Sequence, residues 1–206
     1  MNVLEVFADV ACPFTHVGLR RFVAHRAALG RDEPLLRVRA WPLELVNGAA
    51  PNGSDIAVKV EALRDAVAPG FFVGFDPKTF PSSTRPALAS AAAAYRLGPE
   101  VGEQFSLAVR DALFERGRDI ADPEVLAELR AATGVAMPTE ADVESVGADY
   151  EEGKRRGVVG SPHFFTVDGD FFCPSLDIET ADGDLSITFD EAGFRRFTVA
   201  ALGLSG

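Results

Sequence analysis

The chain has 206 residues, 47 % hydrophobic and 25 % charged, with a net charge of −11, enough for one or two domains around a sizeable core. Its Lys and Arg residues are scattered rather than clustered, which argues against a nucleic-acid partner, and the acidity serves solubility. No stretch approaches the ~20 apolar residues of a membrane span, and no basic segment precedes the first apolar run as in a signal peptide, so the sequence predicts a cytoplasmic protein with no membrane partner.

Residues 2–8 read as a buried strand, and Asp9-Val10-Ala11 as a turn. Residues 13–29 carry Phe14, Val17, Phe22, Val23 and Leu29 at helical spacing, and Gly30 ends the helix. Residues 35–45 predict a second strand, with Leu36, Val38 and Ala40 alternating against Arg37 and Arg39. A crossover helix between two strands implies a parallel pair. Strand signals then nearly vanish. Helices are predicted over 56–67, 85–97, 99–116, 123–133 and 140–156, with starts at Asp122-Pro123-Glu124 and Pro138-Thr139-Glu140 and stops at Gly98, Gly117 and Gly134. Strands return at 162–167 and 171–173, flanking the turn residues Asp168-Gly169-Asp170. A further short strand over 185–189 follows a polar loop at 179–184, and a helix over 190–202 closes the chain. This order describes an α/β sheet domain, residues 1–50 and 157–206, split by an all-helical insertion, residues 51–156.

The chemistry-bearing motif is Cys12-Pro13-Phe14-Thr15, where the first strand empties into the first helix. A thiol at a helix N-terminus is favoured as thiolate by the unpaired N–H groups, and Pro13 suits the first helical position. The plainer alternative is a buried cysteine that only packs. Thr15 lies about one turn along the helix. Its hydroxyl is expected either to donate a hydrogen bond to the Cys12 thiolate or to be an ordinary first-turn residue. His16 and His163 adjoin the motifs and are candidates to tune the thiolate or donate a proton; His16 alternatively only covers the helix. Asp9 is either a buried proton acceptor with a raised pKa or a turn residue. The three histidines show no metal-ligand spacing.

Cys173 is a candidate second thiol. A two-residue turn at Asp168-Gly169 makes Val167 face Asp170 and Phe164 face Cys173, which brings Cys173 near the Pro162 end of the hairpin and the neighbourhood of Cys12. The alternatives are a small apolar residue filling the sheet or a partner for a disulfide within tight geometric limits. Two cysteines make no disulfide framework, and a reducing compartment disfavours a bridge.

The chain resembles the DsbA-like branch of the thioredoxin superfamily, in its FrnE-like form. The run from Asp9 through Cys12-Pro13-Phe14-Thr15-His16-Val17 to Gly18 is similar to that branch's Asp-x-x-Cys-Pro-Trp-Cys-Tyr-x-Gly opening. Leu113-Phe114-Glu115-Arg116-Gly117-Arg118-Asp119-Ile120 resembles a segment near the end of its helical insertion. Gly157-Val158-Val159-Gly160-Ser161-Pro162-His163-Phe164 resembles its Gly-Val-x-Gly-x-Pro-x-Phe segment. The resemblance implies a thioredoxin-like fold and a cis Ser161–Pro162 bond that turns the Ser161 backbone toward a bound thiol. It also implies a binding surface of Pro13, Phe14, His16, Ser161, Pro162 and His163.

The family's second cysteine falls at Thr15, so a Cys-x-x-Cys cycle is unavailable. The related 2-hydroxychromene-2-carboxylate isomerases and kappa-class glutathione transferases carry Ser-Pro-Tyr at the matching place, with Cys12 standing where their serine stands. The expected function is thiol–disulfide oxidoreduction through Cys12 as single nucleophile, forming a mixed disulfide with a small-molecule or protein thiol. A second reading is an isomerase or transferase using a loosely bound low-molecular-weight thiol such as glutathione or mycothiol. A third is a non-catalytic binding module of the same fold.

Overall fold

The computed structural model describes residues 2–181 and 184–204. In chain order the elements are β1 (Val3–Ala8), α1 (Pro13–Ala28), β2 (Leu35–Ala40), α2 (Leu43–Asn47), α3 (Gly53–Ala66), α4 (Arg85–Leu97), α5 (Pro99–Phe114), α6 (Pro123–Thr133), α7 (Glu140–Arg155), β3 (His163–Thr166), β4 (Gly169–Phe172), β5 (Leu176–Ala181), β6 (Asp184–Phe189) and α8 (Glu191–Leu202). The main sheet has the order β2-β1-β3-β4. β1 and β2 are parallel, while β3 pairs antiparallel with β1 and β4. This is the thioredoxin-like arrangement with an all-helical insertion between β2 and β3.

The expected elements form with three differences. The second strand stops at Ala40 because Pro42 ends the pairing and becomes the N-cap of α2. Of the stretch 179–184 read as a loop, residues 179–181 end β5 and residue 184 opens β6, which pair through Leu176 with Phe189 and Ile178 with Ile187; residues 182–183 lie outside the described residues. The β3–β4 turn is Val167-Asp168, not Asp168-Gly169, because Thr166 pairs with Gly169. The Thr166 hydroxyl bonds the Gly169 carbonyl and the Asp168 N–H, which closes the turn one residue early.

Each sheet face carries its own apolar layer. Leu4, Val6 and Ala8 of β1, with Leu36 and Phe164, pack on Leu19 and Phe22 of α1 and Phe197 of α8. On the opposite face Phe7 packs with Trp41 and Val158. α7 covers that face closely at Gly153, where a Cβ would lie 2.5 Å from the Trp41 ring. The largest buried cluster joins the inserted helices to Val10, Ala11 and Val17 at the start of α1 and to Cys173 and Leu176. Burial therefore runs unbroken from the helices into the motif. Arg26 and Glu103 form a buried ion pair at 2.8 Å, and Glu103 also accepts from the Leu36 N–H at 2.6 Å, which fixes α5 against both α1 and β2.

Candidate thiol site

α1 begins without a side-chain cap. Cys12 is its N-cap residue, extended at φ −84° and ψ 116°, with Pro13 following and no acidic residue in the first turn. The His16 N–H bonds the Cys12 carbonyl at 3.1 Å, and Pro13 has no N–H. The unpaired donors at this positive helix end are therefore those of Phe14 and Thr15. Pro13 is buried, and Phe14 packs against the large core cluster.

The Cys12 thiol donates to the carbonyl oxygen of Ser161, with Sγ and oxygen 3.1 Å apart. The Ser161–Pro162 peptide is cis, as the resemblance implies. The Ser161 hydroxyl oxygen accepts from the Asp9 N–H at 2.9 Å and lies 2.7 Å from the Thr15 hydroxyl oxygen. Of the two expectations for Thr15, a hydrogen bond to Cys12 or an ordinary first-turn residue, neither describes its hydroxyl, which hydrogen-bonds Ser161. Its position in the first turn points it across to the segment before β3. All three residues are nearly shielded from solvent: Cys12 is 4 %, Thr15 0 % and Ser161 7 % exposed.

Neither histidine hydrogen-bonds the thiol. His16 is buried, its Nε2 lies 2.6 Å from Glu115 Oε1, and its Nδ1 has no partner among the described residues. Its ring packs among Phe71, Phe72 and Phe114. Burial pulls its pKa down against the opposing pull of Glu115, so we take the ring as neutral with the proton on Nε2. Burial pushes the Glu115 carboxyl up, but hydrogen bonds from His16 and from the Phe72 and Val73 N–H groups together hold it below its ordinary value. His163 is committed elsewhere too: Nε2 lies 2.7 Å from Asp170 Oδ2, Nδ1 accepts from the Val159 N–H, and the ring stacks on Phe165. Both imidazoles, the candidates to tune the thiolate or donate a proton, thus hydrogen-bond groups other than Cys12.

Cys173 arrives at a different place from the sequence register. Phe164 pairs with Phe171, so Cys173 comes level with Pro162, and its N–H donates to the Pro162 carbonyl at 3.0 Å. The carbonyls of Ser161 and Pro162 thus receive the two cysteines in succession. Both thiols are free and buried. Cys173 has φ 45°, and burial first, with Cys12 adding to it, pushes its thiol up to about 12.

Two groups near the motif come from distant sequence. Asp9 is fully buried. Its Oδ1 accepts from the Ala11 N–H at 2.7 Å, and its Oδ2 from the Leu43 N–H at 2.7 Å and the Thr84 hydroxyl at 3.1 Å. Burial raises its pKa against those bonds and the nearby Arg110. Arg110 is also fully buried, donating to Ser106 and, at 3.2 Å, to the Asp9 carbonyl, while its Nε has no partner among the described residues. Burial pulls its pKa down to about 10, opposed by the Tyr95, Asp9 and Cys12 charges. Sequence reasoning missed Arg110. The available signal was a charged residue falling on the buried stripe of α5 with Gly102, Phe105, Ser106, Val109 and Leu113.

The DSBA-like thioredoxin domain profile matches residues 3–186. Among solved structures, a Nitrosomonas europaea protein assigned provisionally as a protein disulfide isomerase superposes with TM-score 0.64 at 16 % identity, over 99 % of this chain and 98 % of its own. A 2-hydroxychromene-2-carboxylate isomerase gives TM-score 0.61 at 16 % identity, over 99 % and 100 %. The cytosolic disulfide reductase DsbM of Pseudomonas aeruginosa with GSH gives TM-score 0.58 at 18 % identity, over 98 % and 100 %. At these identities the likeness shows the fold. No curated protein matches the sequence.

Proposed function

The chain belongs to the DSBA-like thioredoxin domain family, and from that premise we propose that it exchanges thiols and disulfides through Cys12 as its single nucleophile. The Cys12 thiolate attacks one sulfur of a disulfide R–S–S–R′. A Cys12–S–S–R bond forms, the R–S–S–R′ bond breaks, and R′–S⁻ leaves and takes up a proton. A second low-molecular-weight thiolate then attacks the R sulfur, forms a new disulfide with it and returns Cys12 as thiolate. Thr15 has no sulfur with which to resolve the intermediate internally, so the second thiol comes from solution.

The observation that carries this reading is the 3.1 Å contact between Cys12 Sγ and the Ser161 carbonyl beside Pro162. On losing its proton the sulfur can no longer donate to that carbonyl, and the Phe14 and Thr15 N–H groups become its donors. The Ser161 carbonyl is then released to accept from an amide of the incoming thiol. The glutathione carried by the DsbM structure makes glutathione the first thiol to test, with a reducing cytoplasm as the setting. In this reading residues 1–50 and 157–206 hold the thiol site and residues 51–156 wall it in. Pro13, Phe14 and Pro162 shape its entrance.

The same contact supports a second reading. A cysteine that donates a hydrogen bond in its resting state can hold the sulfur of a thiol cofactor without reacting, which suits an isomerase or transferase. Incubation with oxidised glutathione followed by intact-mass and peptide analysis separates the two. Disulfide exchange predicts one glutathionyl group on Cys12 and loss of glutathione-dependent reduction of hydroxyethyl disulfide in Cys12→Ser. Retention of glutathione binding in Cys12→Ser, with no adduct on the unsubstituted protein, supports the cofactor-holding role. Neither adduct nor binding would leave a non-catalytic module.

A further inference from the structure

A cavity lies within the helical insertion, walled by α4, α6, α7 and the Met137-Pro138 segment, and none of Cys12, Ser161 and Cys173 lines it. Its volume of about 500 Å³ falls in the range of small-molecule sites. Ala89, Leu126, Val143 and Val146 make the walls apolar, and Met137, 71 % exposed, stands at the rim.

Arg130 also lines this cavity, and it is only 9 % exposed. Its single hydrogen bond among the described residues runs from Nη1 to the Ser90 hydroxyl oxygen at a long 3.3 Å. Ser90 has already given its own proton to the Pro86 carbonyl. Glu128 of the same helix pairs with Arg118 and Asp142 of α7 with Arg96, and no ion pair to Arg130 is found among the described residues. A largely buried arginine is normally paired with a carboxylate. Here, in a chain of net charge −11, no carboxylate among the described residues pairs with it. Arg85, at the same cavity, comes no closer than 3.9 Å to Glu44 and adds a second positive group near the opening.

We propose that this cavity binds a small apolar carboxylate, with the carboxylate on the Arg130 guanidinium and the apolar body along Ala89, Leu126, Val143 and Val146. A planar guanidinium matches a carboxylate with two parallel hydrogen bonds. The apolar walls exclude a strongly hydrated dianion and reward a hydrocarbon or aromatic body. The inference is independent of the chemistry assigned to Cys12.

The probes are decanoate and decanol, titrated calorimetrically into the unsubstituted protein and into Arg130→Met. The expected result is that decanoate binds at least about tenfold more tightly than decanol, and that Arg130→Met removes most of this preference while leaving decanol affinity within about threefold; tenfold corresponds to 1.4 kcal/mol. Ala89→Phe, which fills the cavity, is expected to weaken both probes. Three results would each overturn the proposal: no decanoate binding, equal binding of the two probes, or unchanged decanoate affinity in a folded Arg130→Met. Should that variant fail to fold, the comparison of decanoate with decanol on the unsubstituted protein, with Ala89→Phe, decides.

Discussion

Cys12 and Ser161, 149 positions apart in the chain, meet directly: the cysteine sulfur lies 3.1 Å from the serine carbonyl, and the serine hydroxyl also holds the turn before Cys12 through the Asp9 N–H and the first turn after it through the Thr15 hydroxyl. The sulfur's position is thereby set by the segment entering β3 as much as by α1. Backbone and side chain of Ser161 do different things. The carbonyl meets the reacting atom, and the hydroxyl holds the turn and the helix start in register.

Ser161→Ala separates these roles. The carbonyl contact to Cys12 survives, while the Asp9 N–H and the Thr15 hydroxyl lose a buried partner. Leaving a buried polar group unsatisfied costs about 1–3 kcal/mol, so urea unfolding is expected to show a loss of about 2 kcal/mol. A loss below about 0.5 kcal/mol would mean that water replaces the hydroxyl and that the serine side chain does not hold the site.

Thr15→Cys restores two cysteines at one helix start. The variant gives up the Thr15–Ser161 hydrogen bond, a cost of about 1 kcal/mol, and gains a thiol placed one helical turn from Cys12. The expected outcome is that the pre-reduced variant reduces one equivalent of hydroxyethyl disulfide to two mercaptoethanol molecules in a single turnover, ending as an intramolecular disulfide with no second small thiol needed for that turnover. A folded, disulfide-forming variant that remains dependent on added thiol would show that access to Cys12, and not the missing cysteine, limits the reaction.

The sequence carried the parts of this site that are local and periodic. Cys12-Pro13 at a strand end and Ser161-Pro162 at a strand start are readable because strand and helix periods change there. Leu176-Asp177-Ile178-Glu179 also alternates as a strand does, but its flanking acidic residues gave it a loop's composition, and β5 was overlooked. The hairpin register slipped because Asp168-Gly169 is the stronger turn pair, while the Thr166 hydroxyl, with bonds to Gly169 and Asp168, moved the turn back by one. Arg110, Glu115 and Thr84 approach the motif only through tertiary packing. Nothing within a few residues of any of them says which strand or helix start they face.

The His16–Glu115 link makes stability sensitive to acid. Burial holds the folded His16 below its ordinary 6.5. Its contribution is therefore fully present above pH 6.5 and is lost as the pH falls toward its folded value. Glu115 sits below its ordinary 4.5, so its contribution is present above pH 4.5 and is lost on further acidification. Asp9 has the opposite sign: burial raises it above 3.8, and its contribution, greatest below that value, fades as the pH rises through its folded value. His16→Gln, which keeps an amide donor for Glu115 and cannot titrate, is expected to flatten the decline in stability from pH 7 to 5. Chemical denaturation at half-unit steps measures it. Parallel profiles for the two proteins would show that another group controls this range.

Cys173 is the remaining thiol, and its environment argues that it is inert. It is 5 % exposed, its N–H is fixed to the Pro162 carbonyl, and burial pushes its thiol up to about 12. Only the thiolate alkylates or resolves a mixed disulfide, so near neutral pH Cys173 has almost none of the reactive form. Cys12 is equally shielded in the resting state but sits at a helix start whose N–H groups receive an anion. Iodoacetamide labelling followed by peptide mapping is expected to modify Cys12 first and Cys173 only on unfolding, with the Cys173 rate tracking denaturant concentration. Mild oxidation tests the same point from the other side. An abundant Cys12–Cys173 cross-linked peptide would make Cys173 the internal resolving thiol, and the requirement for a second thiol from solution would fall with it.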